Sequence, residues 1–360
     1  MVFITKGQKN IAGSIGRILN QFEKTLDSSK GFFIKPNIVF PVSPGSGEIT
    51  RPEVAKALIE CIRKKYGAVD IVIGEGTAAG TQPAENFRVS GYSDLAKELR
   101  VELIDLNEAE RISVKWKFGL IQLPKMAFER NYISLPILKL SSAAVISGAM
   151  KNQKGLLAPQ MKKNFHKLGL HDPIAQLAKV IQPNLTILDG FNFFKEQNIL
   201  ISGDNVYEID GRAIRLLNSD EPEYFKIAGK IGIGKDTCAI TGDSISPLNT
   251  DKYKGNKKYK EYFNMRLWSN PRACSMCRAT LRNIRRSPGT DWRYSFLMYL
   301  KLLKYAVKGA DFIFGSQPVF EAISKNVICI GDCTKRLAQE KGYAHIPGCP
   351  PTKEDMLKNI

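Results

Sequence analysis

Short apolar runs that alternate with amphipathic helical stretches constrain this chain more than any other feature. GFFIKP at 31–36 is a strand-length run closed by a proline. It leads through a Pro/Gly/Ser loop, FPVSPGSGEI, into TRPEVAKALIECIRKKYG at 50–67. There Val54, Leu58, Cys61 and Ile62 recur at i, i+4, i+7 and i+8, the spacing of one helical face. Thr50-Arg51-Pro52-Glu53 has the form of a capping box with a proline in the first turn, and Gly67 is a stop. AVDIVIGEGTAAGT at 68–81 then returns to a buried strand that runs into a glycine-rich loop. Asp94–Leu99 reads as helix and Val101–Leu106 as strand. Strands joined through helices pair in parallel, so the expected fold is α/β: a mostly parallel sheet with helices on both faces.

The pattern continues with strands at Ser142–Ser147 and Asn184–Leu188 and a helix at Asp172–Val180. From about Glu221 the texture changes, and Thr250–Phe263 is a polar insertion rich in Lys and Tyr. Helices at Tyr294–Val307 and Thr334–Lys341, with strands at Asp311–Phe314 and Val327–Ile330, resume the grammar. We therefore expect an α/β domain over residues 1–225 and a smaller, cysteine-rich α/β domain over 226–360. No apolar run approaches the ~18 residues that a membrane helix needs, and MVFITKGQKNIAGS holds no signal-peptide core. A cytoplasmic location is expected. Lysine and arginine number 53 against 35 acidic residues, a net charge of +18. That excess suits an anionic small molecule or an acidic redox partner protein. Lys252–Lys260 interleaves lysines with tyrosines, as single-strand RNA binders do, but equally as solvated loops do; nucleic acid is disfavoured. The oligomeric state is not legible.

In parallel sheets ligands bind beyond the carboxyl ends of the strands. Lys35 and Asn37 end the first strand, Gly74, Glu75 and Gly76 the second. Lys151, Asn152 and Lys154 follow SAAVIS, and Asp189 follows NLTIL. His166, with His171 five residues on, is spaced poorly for a metal-binding helix and better as an acid/base or anion donor. Lys35, Glu75, Lys151 and His166 are thus candidate catalytic residues; Asn37, Gly74, Gly76, Asn152, Lys154 and Asp189 are candidate ligand-binding residues. Gly229-Lys-Ile-Gly-Ile-Gly234-Lys235-Asp236 approaches a phosphate-binding loop, but Asp236 stands where a hydroxyl must meet magnesium and no buried strand precedes it.

Five of the seven cysteines follow residue 270. Cys274 and Cys277 form a C-x₂-C pair; Cys333 opens a helix after Gly331; Cys349 sits in a proline-stiffened turn. Four thiolates suit a [4Fe–4S] cluster or a structural Zn²⁺, and the wide spacing of the last two favours the cluster. A redox disulfide between Cys274 and Cys277 leaves Cys333 and Cys349 unexplained, and unrelated buried thiols are the remaining alternative.

FIKPN (33–37), the TRPEVAKAL helix, VIGEG (72–76), SGYSDLAKE, VELIDLNE (101–108), GAMKNQKG (148–155), the later His166 and LTILDG (185–190) occur in an order and spacing that resemble a known family. It is the bacterial and archaeal family catalogued as domain of unknown function three hundred and sixty-two, and the resemblance covers about residues 30–240. The resemblance implies an occasional association with iron–sulfur clusters. The chain departs from the family in Pro136-Ile-Leu-Lys139-Leu-Ser141, where Ser141 replaces a histidine; FNFFKEQN replaces a glycine-rich stretch, and Asp204 and Asp210 only echo an acidic pattern. IPGCPP (346–351) is similar to the turn that supplies a cluster cysteine in iron–sulfur small subunits of hydrogenases. The expected function is an iron–sulfur protein with a cluster on Cys274, Cys277, Cys333 and Cys349, in electron transfer or a redox step on an anionic small molecule. The alternatives are a non-redox anion-binding protein or enzyme with zinc on the same thiolates, and an RNA-binding or assembly protein.

Overall fold

A computed structural model describes the chain except residues 8–9, 78–80, 142–144, 195, 236–237, 249–258, 269–291, 316–319 and 349–350. The chain forms two compact units, Met1–Leu140 with Ala144–Thr250 and Ser141–Ala143 with Asp251–Ile360.

The first unit is built on an eight-stranded sheet. Its strands are β1 (Val2–Lys6), β2 (Phe32–Lys35), β3 (Ile71–Glu75), β4 (Glu102–Asp105), β5 (Asn131–Ser134), β6 (Leu185–Asp189), β7 (Ile199–Gly203) and β8 (Ile240–Gly242), in the order β8-β1-β7-β6-β5-β2-β3-β4. Only β7 runs against its neighbours, pairing antiparallel with β1 and β6; all other pairings are parallel. Every residue of β2, β3, β5, β6 and β7 is buried, the signature of strands covered on both faces. On one face Ile34, Ile73, Ile133 and Ile187 pack with the helices Ile11–Gln21, Pro52–Tyr66 and Tyr92–Leu99. The helix Val206–Leu216 packs on β1, β6 and β7. The α/β expectation holds.

Three local readings are corrected. Thr50 does not cap the helix Pro52–Tyr66; the flanking residue is Arg51, with no side-chain cap. The Thr50 hydroxyl instead donates to the Leu135 carbonyl (2.5 Å) and accepts from Asn37 N–H (2.9 Å), because burial commits it to loops between strands. Of SAAVIS, only Val145–Ser147 is described as strand, and it pairs with Lys139–Ser141 in a separate two-stranded ribbon instead of joining the sheet. The boundary read near residue 225 falls inside the first unit: the helix Glu223–Lys230 packs on the helix His171–Val180, and β8 pairs with β1. Gly229 lies within that helix, consistent with setting aside the phosphate-loop reading.

The second unit carries a five-stranded sheet, β9 (Tyr259–Tyr262), β10 (Met265–Trp268), β11 (Ala310–Phe314), β12 (Val327–Ile330) and β13 (Ala344–Ile346), in chain order. The first pair is antiparallel and the rest parallel. Its core gathers Phe312, Phe314, Ile328, Ile330 and Ile346 against Met298, Met356 and Ile360.

Candidate functional site

The carboxyl ends of β2, β3 and β5 lie side by side, since Lys35 registers with Ser134 and Ile34 with Ile73. Lys35 is therefore delivered next to Glu75. Both are buried, with Lys35 Nζ 2.9 Å from Glu75 Oε1 and 3.1 Å from Oε2. The ammonium also donates to the Pro36 carbonyl (3.0 Å) and to Asn152 Oδ1 (3.1 Å). Glu75 in turn accepts the backbone N–H groups of Ile38 and Gly76, each at 2.9 Å. A charge in so dry a place costs several kcal/mol unless paired and hydrogen-bonded, and this pair meets both conditions. Burial pushes the Lys35 ammonium below its usual range, with Glu75 opposing the shift.

Asn152 ties the strand ends together. It comes from the four-residue helix Ala149–Asn152 and donates to Ser134 Oγ (3.0 Å) and the Lys35 carbonyl (3.4 Å). Its Oδ1 also accepts from Asn37 Nδ2 (3.2 Å), and Asn37 Oδ1 accepts from Lys139 (3.2 Å). Close approach is possible only because residue 155 is glycine. A Cβ there would stand 2.2 Å from Glu75 Oε1 and 2.4 Å from Lys35 Nζ. Gly76 has the same role, with its Cβ position 2.2 Å from the Gly155 carbonyl.

The structure thus brings together Lys35, Asn37, Glu75, Gly76 and Asn152. Gly74 serves packing: a side chain there would meet Leu106 and Phe33 at 2.8 Å. Asp189 stands apart from the cluster, because its carboxylate is taken by Arg51 in a bidentate pair, 2.8 Å on each arm. Arg51 also donates to Asn198 (2.8 Å) and lies 4.1 Å from the Phe191 ring centre. Lys151 and Lys154 are half-buried, and Lys154 Nζ lies 5.8 Å from the Phe165 ring centre. His166 is in the helix Pro159–Lys167, and its side chain lies outside the described atoms.

Lys162 is the residue sequence reading missed. Its Nζ donates to the carbonyls of Gly76 (2.8 Å) and Thr77 (2.9 Å) and to Asn107 Oδ1 (3.1 Å). Burial pushes its ammonium down to about 7; Glu75 opposes this, while Lys35, Lys154 and Arg111 reinforce it. A lysine within KKNFHK looks like any solvated one, so nothing local marks it. Lys35, Lys154 and Arg111 are thus the cations close enough to bear on Lys162, and Glu75 is the carboxylate that opposes them.

In the second unit, Cys333 is exposed in the 3₁₀ turn Asp332–Thr334 just after β12. Cys329 lies within β12, buried, and its thiol is pushed up to about 11 by that burial. Cys274, Cys277 and Cys349 lie outside the described residues; among the described ones no group of three or more His, Cys, Asp or Glu is placed to hold a metal.

The first unit is thus an α/β protein unit with a buried Lys–Glu–Asn knot at its strand ends. The chain belongs to the family described as domain of unknown function (DUF362), which matches residues 33–217. It is also similar to the thylakoid-associated protein sll1697 of Synechocystis sp., with 27% identity over 264 residues that cover 66% of this chain and 81% of the relative. No helix among the described residues is long and apolar enough to cross a membrane.

Proposed function

We propose that this chain is a cytoplasmic iron–sulfur protein, with one [4Fe–4S] cluster on Cys274, Cys277, Cys333 and Cys349, acting in electron transfer or in a redox step on an anionic small molecule. One observation supports the ligand set. Gly348 N–H donates to Asp332 Oδ1 (2.7 Å) and Asp332 N–H to the Gly348 carbonyl (3.1 Å). The residues immediately before Cys349 and Cys333 are thus hydrogen-bond partners, though sixteen apart in sequence. Cys333 is exposed and Cys329 is buried within β12, so Cys333 is the more accessible donor of the two. When bound, such a cluster supplies one-electron transfer, tuned by hydrogen bonds and local charge. The cationic surroundings of Lys162 would receive the anion in the first unit.

Iron and acid-labile sulfide in protein prepared without oxygen test the reading. Four of each per chain are expected, with a loss of iron in each of Cys274→Ser, Cys277→Ser, Cys333→Ser and Cys349→Ser. Absence of both elements refutes it. One zinc per chain on the same thiolates replaces it with the structural-zinc reading.

A further inference from the structure

The helix Trp292–Lys308 has two apolar faces, and among the described residues only one is packed against the core. Met298, Leu302 and Tyr305 pack into the core of the second unit. Phe296, Leu300, Leu303 and Val307, at i, i+4, i+7 and i+11, are 55%, 46%, 40% and 78% exposed, and Tyr299 beside them 62%. This is a continuous stripe about 16 Å long at the helical rise of ~1.5 Å per residue. Apolar surface on this scale marks an interaction site more often than chance exposure.

The charge of the second unit narrows the class of its partner. Residues 251–360 hold 21 lysines and arginines against nine acidic residues, so this unit carries +12 of the chain's +18. At the C-terminal end of the stripe, Val307 and the exposed Ile323 rim an open cavity of about 510 Å³ that Lys308 and Lys325 also line. Apolar side chains and ammonium groups thus converge at one end of one helix. An exposed apolar stripe with ammonium groups at one end asks for a partner that is apolar and anionic side by side. An anionic bilayer answers both: acyl chains take the stripe, and headgroup phosphates take Lys308 and Lys325.

We propose that the exposed face of Trp292–Lys308 docks the protein on a negatively charged membrane surface. The helix lies in the interface and does not span it, consistent with its length and its lysines.

The test is co-sedimentation of the full chain with vesicles of phosphatidylglycerol and phosphatidylcholine, beside vesicles of phosphatidylcholine alone. Binding to the anionic vesicles only, weakening with salt, is expected. Leu300→Ser with Leu303→Ser should weaken it at least tenfold, as should Lys308→Glu with Lys325→Glu, whereas Leu300→Met with Leu303→Met should retain it. All four side chains in these changes lie on the surface or its rim, so an unchanged circular dichroism spectrum is expected for each variant. Failure of the wild-type chain to bind anionic vesicles at low salt overturns the proposal. So does equal binding by the serine variant, which reduces the effect to charge alone. A dimer in solution that the serine variant breaks, with no vesicle binding, reassigns the face to a contact between copies of the chain.

Discussion

Lys35 and Glu75 occupy a place where neither could stand alone. Each is held on several sides by hydrogen bonds from the packed chain. Lys35→Met would leave Glu75 buried with only backbone donors, and should destabilise the first unit by about 3–5 kcal/mol in urea titrations. The double variant Lys35→Met, Glu75→Gln should cost clearly less than the sum of the single changes, since no buried charge is left unmatched. Lys162 makes a prediction in pH. Its folded-state value of about 7 lies below the ~10.4 of an unfolded lysine, so between these values the unfolded chain binds more protons. The group therefore opposes folding most below pH 7, and its penalty fades as pH rises toward 10. Stability measured from pH 6 to 10 should rise less steeply in Lys162→Met than in the wild type.

At the scale of elements, the short helix Ala149–Asn152 decides whether the knot forms, because it carries Asn152. Its first turn is held by Asp210 of the helix Val206–Leu216, which accepts from Ala149 N–H (2.6 Å) and Met150 N–H (3.1 Å). Gly148 permits that approach, for a Cβ there would stand 2.2 Å from Asp210 Oδ1. Gly148→Ala and Gly155→Ala should each cost about 1–3 kcal/mol by overpacking, more if a buried hydrogen bond breaks. Burial pushes the Asp210 carboxyl up to about 7, although the two N–H donors pull it down. The folded state then holds the proton more tightly between pH ~4 and 7, so this contribution to stability falls as pH rises through that window. Asp210→Asn should flatten the decline, read from denaturation midpoints at a series of pH values.

Across the whole molecule, each unit has its own sheet and core. Independent cores predict separable unfolding. Hydrogen exchange should report one protection class for β3 and another for β12. Under the proposed ligand set, stripping the cluster should loosen β12 and β13 while leaving β2 and β3 unchanged. Loss of protection in all four strands together would contradict that independence.

How much was legible follows from which forces are local. Burial on a helix or strand leaves a period in the chain, so β2, β3, β11, β12 and the helix Pro52–Tyr66 were readable from sequence to within a residue or two. The strand-end position of Lys35 and Glu75 followed from the same pattern. The antiparallel direction of β7 leaves no mark in its own residues, because ILIS at 199–202 is an apolar run whichever way it pairs. Nor were Arg51 and Lys162 legible, since their neighbours are distant in sequence: Arg51 and Asp189 are 138 apart, Lys162 and Gly76 86 apart.

The amino-acid order by itself determined the α/β class and the residues at the ends of β2 and β3, since periodicity and residue chemistry are properties of the chain alone. Tertiary structure decided which of those polar groups meet. Placing β5 between β2 and β6 sets Ser134 beside Lys35, and Asn152 then reaches Lys35 from 117 residues away. Asp189, equally promising in sequence, is drawn instead to Arg51. Pairing register and the missing side chains of Gly76 and Gly155 make that choice, because a buried charge takes whichever partner the packed backbone lets within hydrogen-bond reach.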